Sequence, residues 1–136
     1  MFISYSHQHK TIIEGFVNQL KKINSDLSIF FDSDSIQKGG EWLRIISDSI
    51  DQAQKVLIFL SPEYTKSKIC WDEFQCAKVR EYDSGKDILL SIYLFTCDSL
   101  PSIMKLNNWI DCREGDIGKI NTACNDIIGS MNIVKT

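Results

Sequence analysis

The chain has 136 residues, 43% apolar and 24% charged, the balance of an ordinary globular domain large enough to bury one full core. A formal net charge of −3 argues against a phosphate-backbone (nucleic-acid) binder, and the longest apolar run, DILLSIYLF (87–95), is too short to span a bilayer. No secretory leader pattern opens the chain, and five cysteines fit neither a CxxC pair nor a Cys/His cluster, so reduced thiols in a cytoplasmic protein without a metal are expected.

In chain order, MFISY (1–5) reads as a short strand. HKTIIEGFVNQLKKI (9–23) places Ile12, Ile13, Phe16, Val17, Leu20 and Ile23 at helical spacing. LSIFF (27–31) reads as a second strand, DSDSIQKGG (32–40) as a loop, and EWLRIISDSIDQA (41–53) as a helix. KVLIFLS (55–61) is a nearly unbroken apolar run, suited to a strand buried on both faces. A helix at 68–82, a strand at 87–95, the short strand WID (109–111) and a helix at 115–129 follow. This alternation predicts an α/β, flavodoxin-like fold in one domain over 1–136: a five-stranded parallel sheet with helices on both faces. Ligands of such folds sit beyond the carboxyl ends of the strands. That rim would carry Ser6–His7, Asp32–Gly40, Ser61–Ser67 and Thr96–Pro101. The chain starts inside its first strand, as a piece excised from a longer multidomain protein would.

A phosphoacceptor receiver needs paired acids after the first strand and an aspartate after the third, but Ser6–His7 and Ser61–Pro62 stand there. In FDSDSIQKGGEW (31–42) two glycines precede a helix, which suits either a phosphate cradle or an ordinary loop. It matches neither GxGxxG nor the Walker pattern. His7 and His9 lack a third metal ligand, and Ser6 suits either a rim contact or a helix cap.

SKICWDEFQCAKVRE (67–81) poses a sharper question. With Ile69 at zero and about 100° per residue, Cys76 falls at about −20°, Ala77 at about 80°, Cys70 at about 100° and Phe74 at about 140°. Glu73 falls at about 40°, inside that apolar arc, whereas Asp72 points away at about 300°. With Ser67 as N-cap the third helical position is Cys70, so Glu73 closes no capping box. It lies beyond the first turn, where the helix dipole fades, and Arg80 is too far along for the usual helical pair. A carboxylate facing the sheet near the strand rim would be partly desolvated, which raises its pKa, a feature that clusters at functional sites.

Four segments in register, FISYSH (2–7), FFDSDSIQKGGEW (30–42), LSPEYTKSKIC (60–70) and CWDEF (70–74), together resemble the Toll/interleukin-1 receptor (TIR) domain family over essentially the whole chain. The related SEFIR family shares the opening box and is the less favoured neighbour. The resemblance to NAD⁺-cleaving TIR domains implies a glycohydrolase that takes NAD⁺ as substrate and needs no cofactor. Its catalytic glutamate would be Glu73; the tryptophan usual four positions earlier is replaced by Ile69. The resemblance further implies that Tyr5, Ser6, His7, Asp32, Ile36, Gly39 and Trp42 line or frame the nucleotide cleft. Ser33, Asp34, Ser35, Gln37, Lys38 and Gly40 would serve a self-assembly loop. Other TIR domains and a fused or associated sensor domain are the implied partners. A non-enzymatic adaptor acting through TIR–TIR contacts is the alternative.

Overall fold

The apolar run at 56–60 becomes the centre of the sheet. Every residue of strand β2 (Val56–Leu60) is buried, as a strand covered on both faces requires. Strand β1 (Phe2–Ser4) pairs parallel to it, with Phe2 opposite Val56 and Ser4 opposite Ile58. On the other side β3 (Leu89–Tyr93) runs parallel from Val56↔Leu89 to Leu60↔Tyr93, and β4 (Trp109–Asp111) completes the order β1-β2-β3-β4. This computed structural model describes residues 1–30, 41–106 and 109–135.

Among the described residues the sheet therefore has four strands and not the expected five. LSIFF contributes one parallel bridge, Phe30 to Phe2, at the open edge of β1. Phe30 N donates to Met1 O at 2.9 Å and Ile3 N to Phe30 O at 2.8 Å. Pairing starts late because Leu27 N still donates back into the preceding turn, to Asn24 O at 3.2 Å. The apolar alternation that suggested a strand is used in packing instead. Phe30 stacks on Phe2 at 5.2 Å, while Leu27 and Ile29 pack against the opposite core cluster.

Period-two alternation along the strands divides the core into two layers. Val56, Ile58 and Leu60 meet Ile46 and Ile50 of α2 (Trp42–Gln52), Tyr64 of α3 (Pro62–Lys66), and Phe74 and Ala77 of α4 (Lys68–Ser84). Leu57 and Phe59 meet Ile13, Phe16, Val17 and Leu20 of α1 (Lys10–Ile23), with Cys124, Ile127 and Ile128 of α5 (Ile117–Lys135). Helices thus cover both faces, as the alternation predicts. Among the described residues no helix is long and apolar enough to cross a membrane.

Candidate active site

Two serine caps build the platform under the candidate carboxylate. Ser61 Oγ accepts from Tyr64 N at 3.1 Å, with Pro62 opening α3, where a missing N–H costs nothing. Ser67 Oγ accepts from Cys70 N at 3.3 Å and starts α4. Trp71 ties the two helices together: its Nε1 donates to Thr65 O at 2.7 Å, and its ring meets Phe74 edge-on at 6.1 Å. The sequence reading missed α3 altogether, because five residues are too few to show a period.

Glu73 is 1% exposed, on the face of α4 that also buries Cys70, Phe74 and Ala77. Ser4 Oγ donates to Glu73 Oε1 at 2.7 Å, and Tyr64 Oη lies 2.7 Å from Ser4 Oγ. Ser4 has a single hydroxyl proton, so once it points to the carboxylate Tyr64 must be the donor to Ser4. The longer contact from Tyr64 Oη to Cys70 O, 3.3 Å, is the weaker alternative for the phenol. Burial pushes the Tyr64 phenol well above its ordinary value, and the nearby Cys70 and Glu73 charges push it further, so it stays a proton donor. Burial likewise raises the Cys70 thiol to about 12. The result is a directed chain, Tyr64 to Ser4 to Glu73, between the carboxyl end of β1 and the second turn of α4.

Arg80, which helical spacing placed too far away to pair with Glu73, instead donates to Ile50 O and Ala53 O at the end of α2. Asp72 and Glu73 diverge as the wheel predicts. Asp72 faces a hollow of about 670 Å³ between α2 and α4, over Leu43, Cys76 and Val79, while Glu73 faces the sheet.

The other expected residues distribute as follows. Tyr5, 8% exposed, packs in the layer under α1 and α5, so it is Ser4 and not Tyr5 that reaches Glu73. Successive strand residues point to opposite faces, which is the cause. Ser6 is buried and His7 exposed at the start of a 3₁₀ turn, His7–His9. The capping alternative for Ser6 fails, because the side chain makes no cap bond and only its carbonyl accepts, from His9 N at 2.9 Å. His9 Nε2 instead meets Glu63 Oε2 at 3.3 Å. Trp42 opens α2. Asp32, Ser33, Asp34, Ser35, Ile36, Gln37, Lys38, Gly39 and Gly40 lie outside the described residues. Among the described residues no three His, Cys, Asp or Glu side chains converge on a possible metal position. Ser4 and Tyr64 escaped the sequence reading, although a serine inside an apolar strand was an available signal.

A parallel sheet covered on both faces, with a buried carboxylate behind the carboxyl end of its edge strand, defines a doubly wound α/β domain. The TIR domain family model matches residues 1–125, and the chain belongs to that family. Its backbone is similar to the TIR domain of the Toll-related receptor TRR-2 from Hydra magnipapillata, with a TM-score of 0.64 at 18% identity over 81% of each chain. It is also similar to the TIR domains of the activated Roq1 resistosome that recognises the pathogen effector XopQ. There the TM-score is 0.58 at 17% identity, over 95% of this chain and 69% of that one. No curated protein matches the chain.

Proposed function

We propose that this TIR domain hydrolyses the nicotinamide–ribose bond of NAD⁺, releasing nicotinamide and ADP-ribose or a cyclic form, with Glu73 as the catalytic carboxylate. One observation carries the reading: an acid 1% exposed, set in an apolar helix face and held at 2.7 Å by Ser4 at the carboxyl end of β1. A purely structural side chain there would be apolar, because burying a carboxylate is costly even when it is hydrogen-bonded.

The chemistry needs only one such group. Ordinary glycoside hydrolysis uses two carboxylates, one to protonate the leaving oxygen. Nicotinamide is cationic on NAD⁺ and departs neutral, so no proton donor is required for it. Positive charge then develops on the ribose, and a carboxylate fixed in a low-dielectric setting opposes it more strongly than one in water. Ser4 and Tyr64 act as positioning residues, holding the carboxylate in one orientation.

The expected partners are NAD⁺, further TIR domains, and a fused or associated sensor whose clustering switches activity on in immune or cell-death signalling. Specific activity should therefore rise with protein concentration. A value that stays constant on dilution refutes the assembly requirement. The direct test incubates concentrated protein with NAD⁺ and follows nicotinamide release. Glu73→Gln keeps an acceptor for Ser4 and the shape of the side chain, so it should fold normally and lose turnover at least about a hundredfold. Parental turnover by that variant removes Glu73 from the role.

Two observations favour a second reading, a non-catalytic adaptor. Ile69 stands where NAD⁺-cleaving relatives carry a stacking tryptophan, and the Trp71 indole is committed to Thr65 O and Phe74. Absence of nicotinamide release at any concentration, with TIR–TIR association retained, would select it.

A further inference from the structure

The amino ends of β2 and β3 and the second halves of α4 and α5 enclose a hollow of about 570 Å³. It opens at the end of the sheet opposite Glu73, away from the rim where ligands of such folds usually sit, so the fold alone does not point to it. Lys55, Arg80 and Lys86 stand on its wall with Gln54, Asp87 and Ser130, and buried Ile88 lies among them. We infer that this hollow binds a phosphate monoester of nucleotide size, with Arg80 as the principal anchor. The assignment is independent of the NAD⁺ reading above.

The cations are fixed in place without being neutralised. Arg80 donates from one guanidinium nitrogen to Ile50 O and Ala53 O, and Lys55 Nζ donates to Asp87 O at 2.6 Å. All three acceptors are neutral carbonyls. Among the described residues no carboxylate lies within ion-pair distance of Lys55, Arg80 or Lys86. Nη1 alone makes both Arg80 bonds, which leaves Nε and Nη2 as a parallel pair of donors, the arrangement that grips two phosphate oxygens at once. Because the carbonyls already hold the side chain, binding sacrifices little further conformational freedom.

The charge balance sets the kind of anion. Three cations face one acid on the described wall, Asp87, while Asp51 and Asp83 line the separate hollow between α2 and α4 that Arg80 also borders. The carboxyl ends of α2 and α4 add about half a negative charge each. A surplus of about one positive charge remains, in a chain whose net charge is −3. That suits a single phosphate and not a polyanion, whose binding needs many cations. The volume lies within the range for small-molecule sites, about 300–1,000 Å³, and exceeds what phosphate alone would fill. The alkyl stems of the three cations, with Ile88, offer apolar surface to the rest of the molecule, and Gln54 and Ser130 offer hydrogen bonds to its edges.

The test is calorimetric titration of the chain with AMP, inorganic phosphate and adenosine. AMP should bind more tightly than either of the others, because only it carries both the anion and the organic body. Lys86 is exposed, and its side chain makes no hydrogen bond among the described residues, so its variants should fold normally. Lys86→Gln should weaken AMP binding about tenfold, the loss of one charge-assisted contact, and Lys86→Arg should keep it. Lys55→Gln should weaken it similarly. Arg80→Lys keeps the charge but not the parallel donors and should weaken it more, with folding checked by circular dichroism. Unchanged AMP affinity in both Lys55→Gln and Lys86→Gln overturns the site, as does a parent chain that binds no AMP. Inorganic phosphate binding as tightly as AMP overturns the nucleotide-sized assignment in favour of a bare anion. Lysine-dependent AMP binding by a parent chain that leaves NAD⁺ intact supports this site and refutes the hydrolase reading.

Discussion

Replacing Ser4 with alanine tests whether Glu73 is held as described. Ser4 is fully buried and Glu73 1% exposed, so water cannot replace the lost donor without opening the core. A hydrogen bond to a charged acceptor contributes about 1.5–3 kcal/mol net. Tyr64 also loses its 2.7 Å partner, but Cys70 O at 3.3 Å remains within its reach and limits that part of the loss. The expected cost is about 2–3 kcal/mol, which for a chain of this length lowers Tm by about 6–12 °C. Urea unfolding followed by circular dichroism should show a lower midpoint with an unchanged m-value. The decisive form is a double-mutant cycle with Glu73→Ala, which removes the acceptor, because the pair is in direct contact and its coupling should be about 1 kcal/mol or more. A Ser4→Ala loss below about 0.5 kcal/mol, or additive effects in the cycle, refutes the Ser4–Glu73 bond and the positioning role built on it.

Stability should also fall in alkali. Burial raises the Cys70 and Cys124 thiols from 9.0 to about 12 and the Cys112 thiol to about 11, and it raises the Tyr64 phenol as well. The folded chain then holds protons that the unfolded chain releases, so these groups contribute fully below about pH 9 and progressively less as the pH climbs toward 12. A urea midpoint that stays flat from pH 9 to 11 contradicts this. At the other end of α4, Gly85 caps the helix at φ +67°, and a Cβ there would meet nothing within 4 Å. Gly85→Ala should therefore cost only the left-handed backbone penalty, about 1 kcal/mol, read from the same unfolding curves. A larger loss would mean that the cap packs more tightly than described.

Glu73 shows how much of the site was legible in advance. Its direction relative to Asp72 follows from helical pitch, a local property carried by the neighbouring residues, and the structure reproduces it. Ser4 and Tyr64 were not legible, because their sequence separations from Glu73 are 69 and 9 residues and no period links them. The edge segment at 27–30 shows the converse. Its apolar alternation is genuine and is used in packing, but alternation says which face a side chain takes and not how many backbone hydrogen bonds form.

The sequence by itself determined the alternation of strands and long helices, the apolar run of β2, the cap at Ser67, and the inward turn of Glu73. All of these depend on neighbours within a few residues, where backbone geometry dictates the outcome. Only the tertiary structure decided that β1 delivers Ser4 to that carboxylate, that Trp71 braces α3, and that Lys55 and Arg80 share one hollow. Parallel pairing and crossover packing set those meetings, and they join residues that no local pattern relates.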